Sequence, residues 1–277
     1  MFDSAYRSLL FVPGDRPERF AKAHASGADG VIIDLEDAVA PERKALARAA
    51  FADAATGANS VLVRINAITT HDYRLDREAC QGLAPAGVLL PKTESPEQIA
   101  QLQADGVTAP ILPIIETARG YQAIESIAAA PGVARLVFGT LDFQLDLNIP
   151  SDDSDELQYF RAGFVLASRL AGLLAPIDGV TTAIDNADRL NRDIDRGHRL
   201  GFGGKLCIHP RQIEAVNGGF GVGDAQIQWA QRVLEAVDES GHHAVAVDGK
   251  MVDAPVIERA RRILAQGGYK DIKRTRV

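Results

Sequence analysis

The chain is predicted to be an α/β protein folded as a (β/α)8 TIM barrel with a helical and hairpin extension at its C-terminal end. Three observations carry this. Eight short apolar runs follow one another, each closing on polar or charged residues. Helix-length amphipathic segments separate most of them. The length, 277 residues, suits one barrel, which commonly takes about 250.

Taken in order, residues 8–12 (SLLFV) run into Pro13-Gly14, and residues 30–33 (GVII) into Asp34-Leu35-Glu36-Asp37. Residues 61–63 (VLV) lead to Arg64-Ile65-Asn66, and residues 87–90 (GVLL) to Pro91-Lys92. Residues 111–115 (ILPII) end at Glu116, and residues 136–138 (LVF) at Gly139-Thr140-Leu141-Asp142. Pro176-Ile177 precedes Asp178-Gly179, and residues 205–208 (KLCI) precede His209-Pro210. Strands buried on both faces have this short Val, Ile and Leu-rich character. Between them, residues 17–25 open with a proline, favoured in a first helical turn. Residues 41–55 are rich in Ala, Arg and Glu. Ser95 reads as the cap of a helix starting Pro96-Glu97-Gln98, and residues 120–130 and 157–175 are helical by composition and spacing. Alternating strand and helix units imply a parallel sheet. An open doubly wound sheet would carry a glycine-rich first turn. Here that turn is P-G-D-R-P, with no G-x-G-x-x-G.

The barrel is thereby expected over residues 1–215. Residues 216–277 fall outside the eight units. They hold a helix candidate at 224–239, a hairpin at 243–250 with an Asp248-Gly249 turn, and a second helix at 254–266. This segment is read as an extension at a subunit contact, making the protein a homo-oligomer, a trimer or hexamer.

The formal net charge of -7, from 30 basic and 37 acidic residues, argues against a nucleic-acid partner, since phosphate contacts need a basic surface. The basic K-D-I-K-R-T-R-V end is read as a solvated tail. Cys80 and Cys207 have neither zinc-like nor disulfide-framework spacing. No apolar run reaches about 18 residues and no apolar leader precedes Tyr6-Arg7, so no membrane partner is expected and a cytoplasmic location is.

In a parallel barrel the residues just past the strand ends crowd around one mouth, where barrel enzymes hold their active sites. That rule gathers Asp34, Glu36, Asp37, Arg64, Asn66, Lys92, Glu116, Arg119, Asp142 and His209. Glu116, closing an apolar run, would be poorly solvated without a partner. With Asp142 it offers hard oxygen ligands suited to Mg2+; the alternative is pairing with Arg119 or Arg64. Arg64 can grip a carboxylate with two parallel hydrogen bonds, or pair with Asp34 or Glu36, and both can hold at once. His209 is equally a structural or a catalytic histidine. Gly201-Phe-Gly-Gly-Lys205 lacks the full phosphate-loop pattern and is read as the turn into the last strand. No G-x-S-x-G elbow is present.

The ordered motifs R-S-L-L-F-V-P-G-D-R-P, D-L-E-D-A-V, V-R-I-N, L-P-K-T-E-S, I-I-E-T-A-R-G, F-G-T-L-D and G-K-L-C-I-H-P-R-Q-I resemble the citrate lyase beta-subunit-like (CitE-like) proteins of the HpcH/HpaI aldolase/citrate lyase family. The resemblance runs from about Arg7 to Ile213 and more weakly to Arg262. It implies that Glu116 and Asp142 are magnesium ligands, that Arg64, with Glu116, binds the substrate carboxylate end, and that Glu36 and Asp37 are the acidic pair flanking the site. Arg16 and Lys22 match positions that meet coenzyme A phosphates. Asp253, in G-K-M-V-D-A-P, matches the aspartate that reaches a neighbouring subunit's site. One departure is Leu141, where many relatives carry a glutamate before the aspartate.

The activity so implied is magnesium-dependent carbon–carbon cleavage of a (3S)-3-hydroxy-carboxyacyl-CoA of the citramalyl, malyl or citryl type, giving a 2-oxo acid and an acyl-CoA. Asp253 from an adjacent subunit is the favoured base and Asp37 the second. The alternatives are a metal-dependent aldolase on free hydroxy-oxo acids, a CoA-thioester hydrolase or synthase on the same site, and a subunit of a citrate lyase complex.

Overall fold

The computed structural model describes residues 6–57, 61–83, 85–150, 155–239 and 245–269. Eight parallel strands close into a barrel in sequence order. They are β1 (Ser8–Pro13), β2 (Gly30–Asp34), β3 (Leu62–Arg64), β4 (Gly87–Leu90), β5 (Ile111–Ile115), β6 (Val137–Phe138), β7 (Ile177–Asp178) and β8 (Gly204–Cys207). Every apolar run singled out in the sequence is a barrel strand, and β1 closes the ring by pairing with both β2 and β8.

The helices around the ring are α1 (Phe20–His24), α2 (Lys44–Ala55), α3 (His71–Cys80), α4 (Pro96–Ala104), α5 (Ala118–Gln122), α6 (Ile124–Ala128), α7 (Thr140–Asp146), α8 (Gln158–Leu170), α9 (Ala187–Leu200) and α10 (Ile213–Phe220). Pro17–Arg19 and Pro41–Arg43 form 3-10 turns that lead into α1 and α2, consistent with proline's fixed φ at a helix start. The helix expected over residues 120–130 is two short ones that meet at Ala123. The one expected to reach residue 175 stops at Leu170, and Gly172 follows with φ 71°.

Strand alternation sorts the side chains. Leu9, Ile32, Leu62, Leu112, Ile114, Val137, Ile177 and Leu206 fill the bore as one buried cluster. Their neighbours Leu10, Val12, Val31 and Cys207 face outward against α9 and α10. Because the side-chain period along a strand is two, Phe11, Asp34, Arg64 and Glu116 stand two residues past Leu9, Ile32, Leu62 and Ile114. They inherit the inner face one layer higher, at the mouth.

The chain divides into two compact units, residues 1–220 and 221–277. The first extends five residues beyond the expected boundary at 215, because Ile213 and Val216 of α10 are buried with the barrel residues Leu10 and Val12. The second unit holds α11 (Asp224–Glu239), β9 (Val245–Val247), β10 (Lys250–Val252) and α12 (Ala254–Gln266). The antiparallel β9–β10 pair turns through Asp248 and Gly249, whose φ values of 51° and 74° are those a tight two-residue hairpin turn requires. Ala230 and Val233 pack with Ala260, Ile263 and Leu264 in a small separate core. His243, at the start of the expected hairpin, and the basic tail lie outside the described residues. No helix among the described residues is long and apolar enough to cross a membrane.

Candidate active site

The mouth of the barrel holds a small pocket of about 80 Å3, lined among others by Phe11, Arg64, Glu116, Gly139, Leu141 and Asp142. Four of the predicted site residues meet there or on its wall: Glu116, Asp142, Arg64 and, beside Arg64, Glu36.

Glu116 follows β5 directly and is only 2% exposed. The Lys92 backbone N–H donates to its Oε1 at 2.7 Å. Its Oε2 lies against Gly139, where an added Cβ would come 2.6 Å from Glu116 Cβ and nearer still to Oε2. Gly139 ends β6 and caps α7, and Asp142 sits in the first turn of that helix, where a carboxylate is favoured by the helix dipole. Burial pushes the Glu116 carboxyl up to about 8; the charges of Asp142 and Glu36 push the same way, and Lys92 only partly opposes them. No arginine forms an ion pair with Glu116 or Asp142 among the described residues, since Arg119, exposed on α5, lies 3.8 Å from Glu94. The pairing of these acids with Arg119 or Arg64, open on the sequence, is therefore not what the structure adopts.

Arg64 does pair with acids, but with others. Asp34 and Arg64 are register partners on β2 and β3. The Arg64 Nε and Nη2 donate to the two Asp34 oxygens at 2.7 and 2.6 Å. Nη1 lies 3.1 Å from Glu36 Oε2, without hydrogen-bond geometry. The Phe11 ring lies under the guanidinium at 4.8 Å. Burial works against the Arg64 charge, but Asp34, Glu36 and Glu116 outweigh it and raise its pKa. Asp34 occupies the Nε–Nη2 side of the fork, and Nη1 faces Glu36.

Glu36 is buried, and its Oε1 accepts from Lys92 Nζ at 2.6 Å. Burial raises its pKa, with Arg64 and Lys92 offsetting part of the effect. Asp37, the other member of the pair, is exposed on the rim with its Oδ2 3.6 Å from Lys92 Nζ. Arg16 and Lys22 are exposed, one before the Pro17–Arg19 turn and the other in α1. Asp253 belongs to the second unit, where it caps α12 by accepting from the Val256 N–H at 3.2 Å.

Two rim candidates are structural. His209 Nδ1 accepts from the Arg211 N–H at 3.1 Å and caps its own turn. Asn66 is buried and ties Leu35 O to Asp76. Burial pushes the Cys80 and Cys207 thiols up to about 12, so neither is poised as a nucleophile.

Sequence reasoning passed over two lysines. Lys44 is buried and donates to Leu35 O, Glu36 O and Asn66 Oδ1, which fixes the D-L-E loop from below. Its signal was present: Lys44, Ala47 and Phe51 share the buried stripe of α2. Lys92 stood on the rim list without a role, yet it touches both Glu36 and Glu116.

The donor set suits a divalent, oxygen-loving cation. Two carboxylates face one pocket with a surplus of negative charge, and a buried Glu36 oxygen lacks a hydrogen-bond partner. Among the described residues no group of three or more acids, histidines or cysteines is placed to hold a metal ion, so the two carboxylates stand alone. Such a site leaves coordination positions for water and substrate, as Mg2+ sites do.

Comparison with known proteins gives the family. A citrate lyase subunit beta-like protein of Mycobacterium tuberculosis is 38% identical over 265 residues, covering 94% of each chain. A (3S)-malyl-CoA thioesterase of Cereibacter sphaeroides is 34% identical over 274 residues, again covering 94% of each. The crystal structure of CitE from Mycobacterium tuberculosis in complex with magnesium, acetoacetate and coenzyme A superposes with a TM-score of 0.84 at 37% identity, covering 95% of this chain and 98% of that one. Residues 157–269 match the carbon–carbon bond lyases of the TIM-barrel fold. Residues 7–210 match the HpcH/HpaI aldolase/citrate lyase family, and the chain is a member of that family.

Proposed function

We propose that the protein is a magnesium-dependent carbon–carbon lyase that cleaves a (3S)-3-hydroxy-carboxyacyl-CoA thioester into a 2-oxo acid and an acyl-CoA. The observation that carries this is the buried Glu116, which has no arginine ion pair among the described residues and lines one pocket with Asp142. The magnesium and coenzyme A bound to the Mycobacterium tuberculosis CitE support the same reading.

In this reading Glu116 and Asp142 hold the cation. Bound Mg2+ supplies Lewis-acid polarisation of the substrate oxygens and lowers the pKa of the alcohol. Arg64 takes the substrate carboxylate, with Asp34 fixing the guanidinium so that binding becomes orientation. Glu36, held by Lys92 and Arg64, keeps the acidic wall in place. A base removes the hydroxyl proton and the bond between the α and β carbons breaks. Its electron pair passes to the thioester as an enolate, which is then protonated at carbon. The base assigned is Asp253 of an adjacent subunit in a homo-oligomer, with Asp37 second; it must come within about 3 Å of the proton or act through one water. Arg16 and Lys22 are assigned to the coenzyme A phosphates.

The test is a panel of malyl-, citramalyl- and citryl-CoA with and without Mg2+, followed by identification of the acid released. A 2-oxo acid with acyl-CoA supports cleavage. Free coenzyme A with an intact hydroxy acid replaces it with the second reading, thioester hydrolysis, which the similarity to a malyl-CoA thioesterase favours.

A further inference from the structure

Lys92 reaches two of the site's acids by two different parts of itself. Its Nζ donates to Glu36 Oε1 at 2.6 Å, and its backbone N–H donates to Glu116 Oε1 at 2.7 Å. The second bond depends on an unusual backbone: Lys92 has φ 50°, in the left-handed region that side-chain-bearing residues seldom occupy. Pro91 precedes it, at the end of the short strand β4. On the far side of Glu116, Gly139 has no side chain, and this makes room for Oε2, since a Cβ there would come 2.6 Å from Glu116 Cβ; Gly139 also caps the helix that carries Asp142.

We propose that Lys92 is a positioning residue whose left-handed backbone aims its amide at Glu116 Oε1, so that Oε2 is presented beside Asp142 for the cation. Strain of this kind persists where the surroundings over-determine it and is concentrated at functional sites. The inference rests on the reading of Glu116 and Asp142 as metal ligands.

It is tested by the affinity for Mn2+, followed by the free-ion electron paramagnetic resonance signal, in the full chain and its variants. Lys92→Gly keeps the amide and accepts positive φ without strain, so its affinity stays within about threefold of the parent. Lys92→Val carries a β-branched residue that resists this φ, and its affinity falls about tenfold or more, with thermal melting verifying that it is folded. Should the valine variant not fold, Lys92→Ala against Lys92→Gly asks the same question with milder strain. A folded valine variant, or the alanine variant in its place, that binds Mn2+ as tightly as Lys92→Gly overturns the proposal while leaving the metal site intact. Absence of Mn2+ binding by the parent overturns the metal reading and this proposal with it.

Discussion

Two buried carboxylates on opposite sides of the barrel wall behave in opposite ways. Asp193, on α9, accepts from Thr181 Oγ1 at 2.7 Å and from Arg196 Nη2 at 2.7 Å, with Arg189 Nε at 3.1 Å. Burial alone would raise its pKa, but these donors and Lys205 reverse the effect and lower it. Glu116, at the mouth, is equally enclosed but has acids for neighbours, and its pKa rises to about 8. Around Asp193 cations and acids are matched: Arg161 meets Asp178 at 3.0 Å, and Lys205 donates to Gly179 O at 2.6 Å. The mouth holds an acid that burial and neighbouring acids keep largely protonated near neutral pH. Buried charge is normally paired, and an acid cluster short of cations at the mouth of a barrel is the feature on which the proposed cation site rests.

The largest expected effect breaks the mouth. Glu116→Gln and Asp142→Asn each lower Mg2+-dependent turnover by about two to three orders of magnitude, the scale on which electrostatic stabilisation acts in an active site. Steady-state kinetics on the released 2-oxo acid measure it, and near-normal rates refute the assignment.

The next contrast is in stability. Asp193→Ala strands Arg196 and Arg189 around a gap and costs about 3 kcal/mol, the scale of breaking a buried pair. Glu116→Gln relieves like-charge crowding and leaves the metal-free protein as stable as the parent or more so. Denaturant titration of both separates a structural acid from a functional one. A destabilised Glu116→Gln comparable to Asp193→Ala erases the distinction.

The Glu116 shift also sets a pH dependence. Its folded pKa, about 8, lies above the unfolded value near 4.5. The stability that the protonated acid contributes is therefore fully present below about pH 4.5 and is lost as pH rises through 8. Metal binding needs the carboxylate, so the gain in melting temperature on adding Mg2+ grows from pH 5 to pH 8 and binding near pH 7 releases a proton. Calorimetry in two buffers of different ionisation enthalpy counts that proton, and Glu116→Gln abolishes the release. The smallest effect is at His209, where His209→Ala removes a cap worth about 1 kcal/mol and leaves kcat within about threefold. A large fall in kcat without loss of stability returns the histidine to the chemistry.

The barrel was legible because each strand is a short apolar run ending in chemistry, and the mouth was legible because parallel strands bring those endings together. Glu116, Asp142 and Arg64 were placed at the mouth this way, and they line one pocket there. What stayed hidden depends on three-dimensional detail. α9 has Leu190 and Ile194 as its buried apolar side chains in an otherwise charged stretch, with Asp193 and Arg196 buried beside them, so its apolar stripe is thin. α7 begins within the motif that carries Asp142, and its four residues from Gly139 read as a loop. The role of Lys92 lies in a φ angle and a backbone amide, neither of which a residue type announces. The fixing of Arg64 by Asp34 was open as an alternative and became definite only through the β2–β3 register.

The central claim is met most directly by a crystal structure grown in abundant Mg2+. The account predicts one ion at the mouth with an oxygen of Glu116 and an oxygen of Asp142 each about 2.1 Å away, and water filling the remaining positions. Glu116 and Asp142 turned apart, or locked onto arginines with no ion between them, would contradict it.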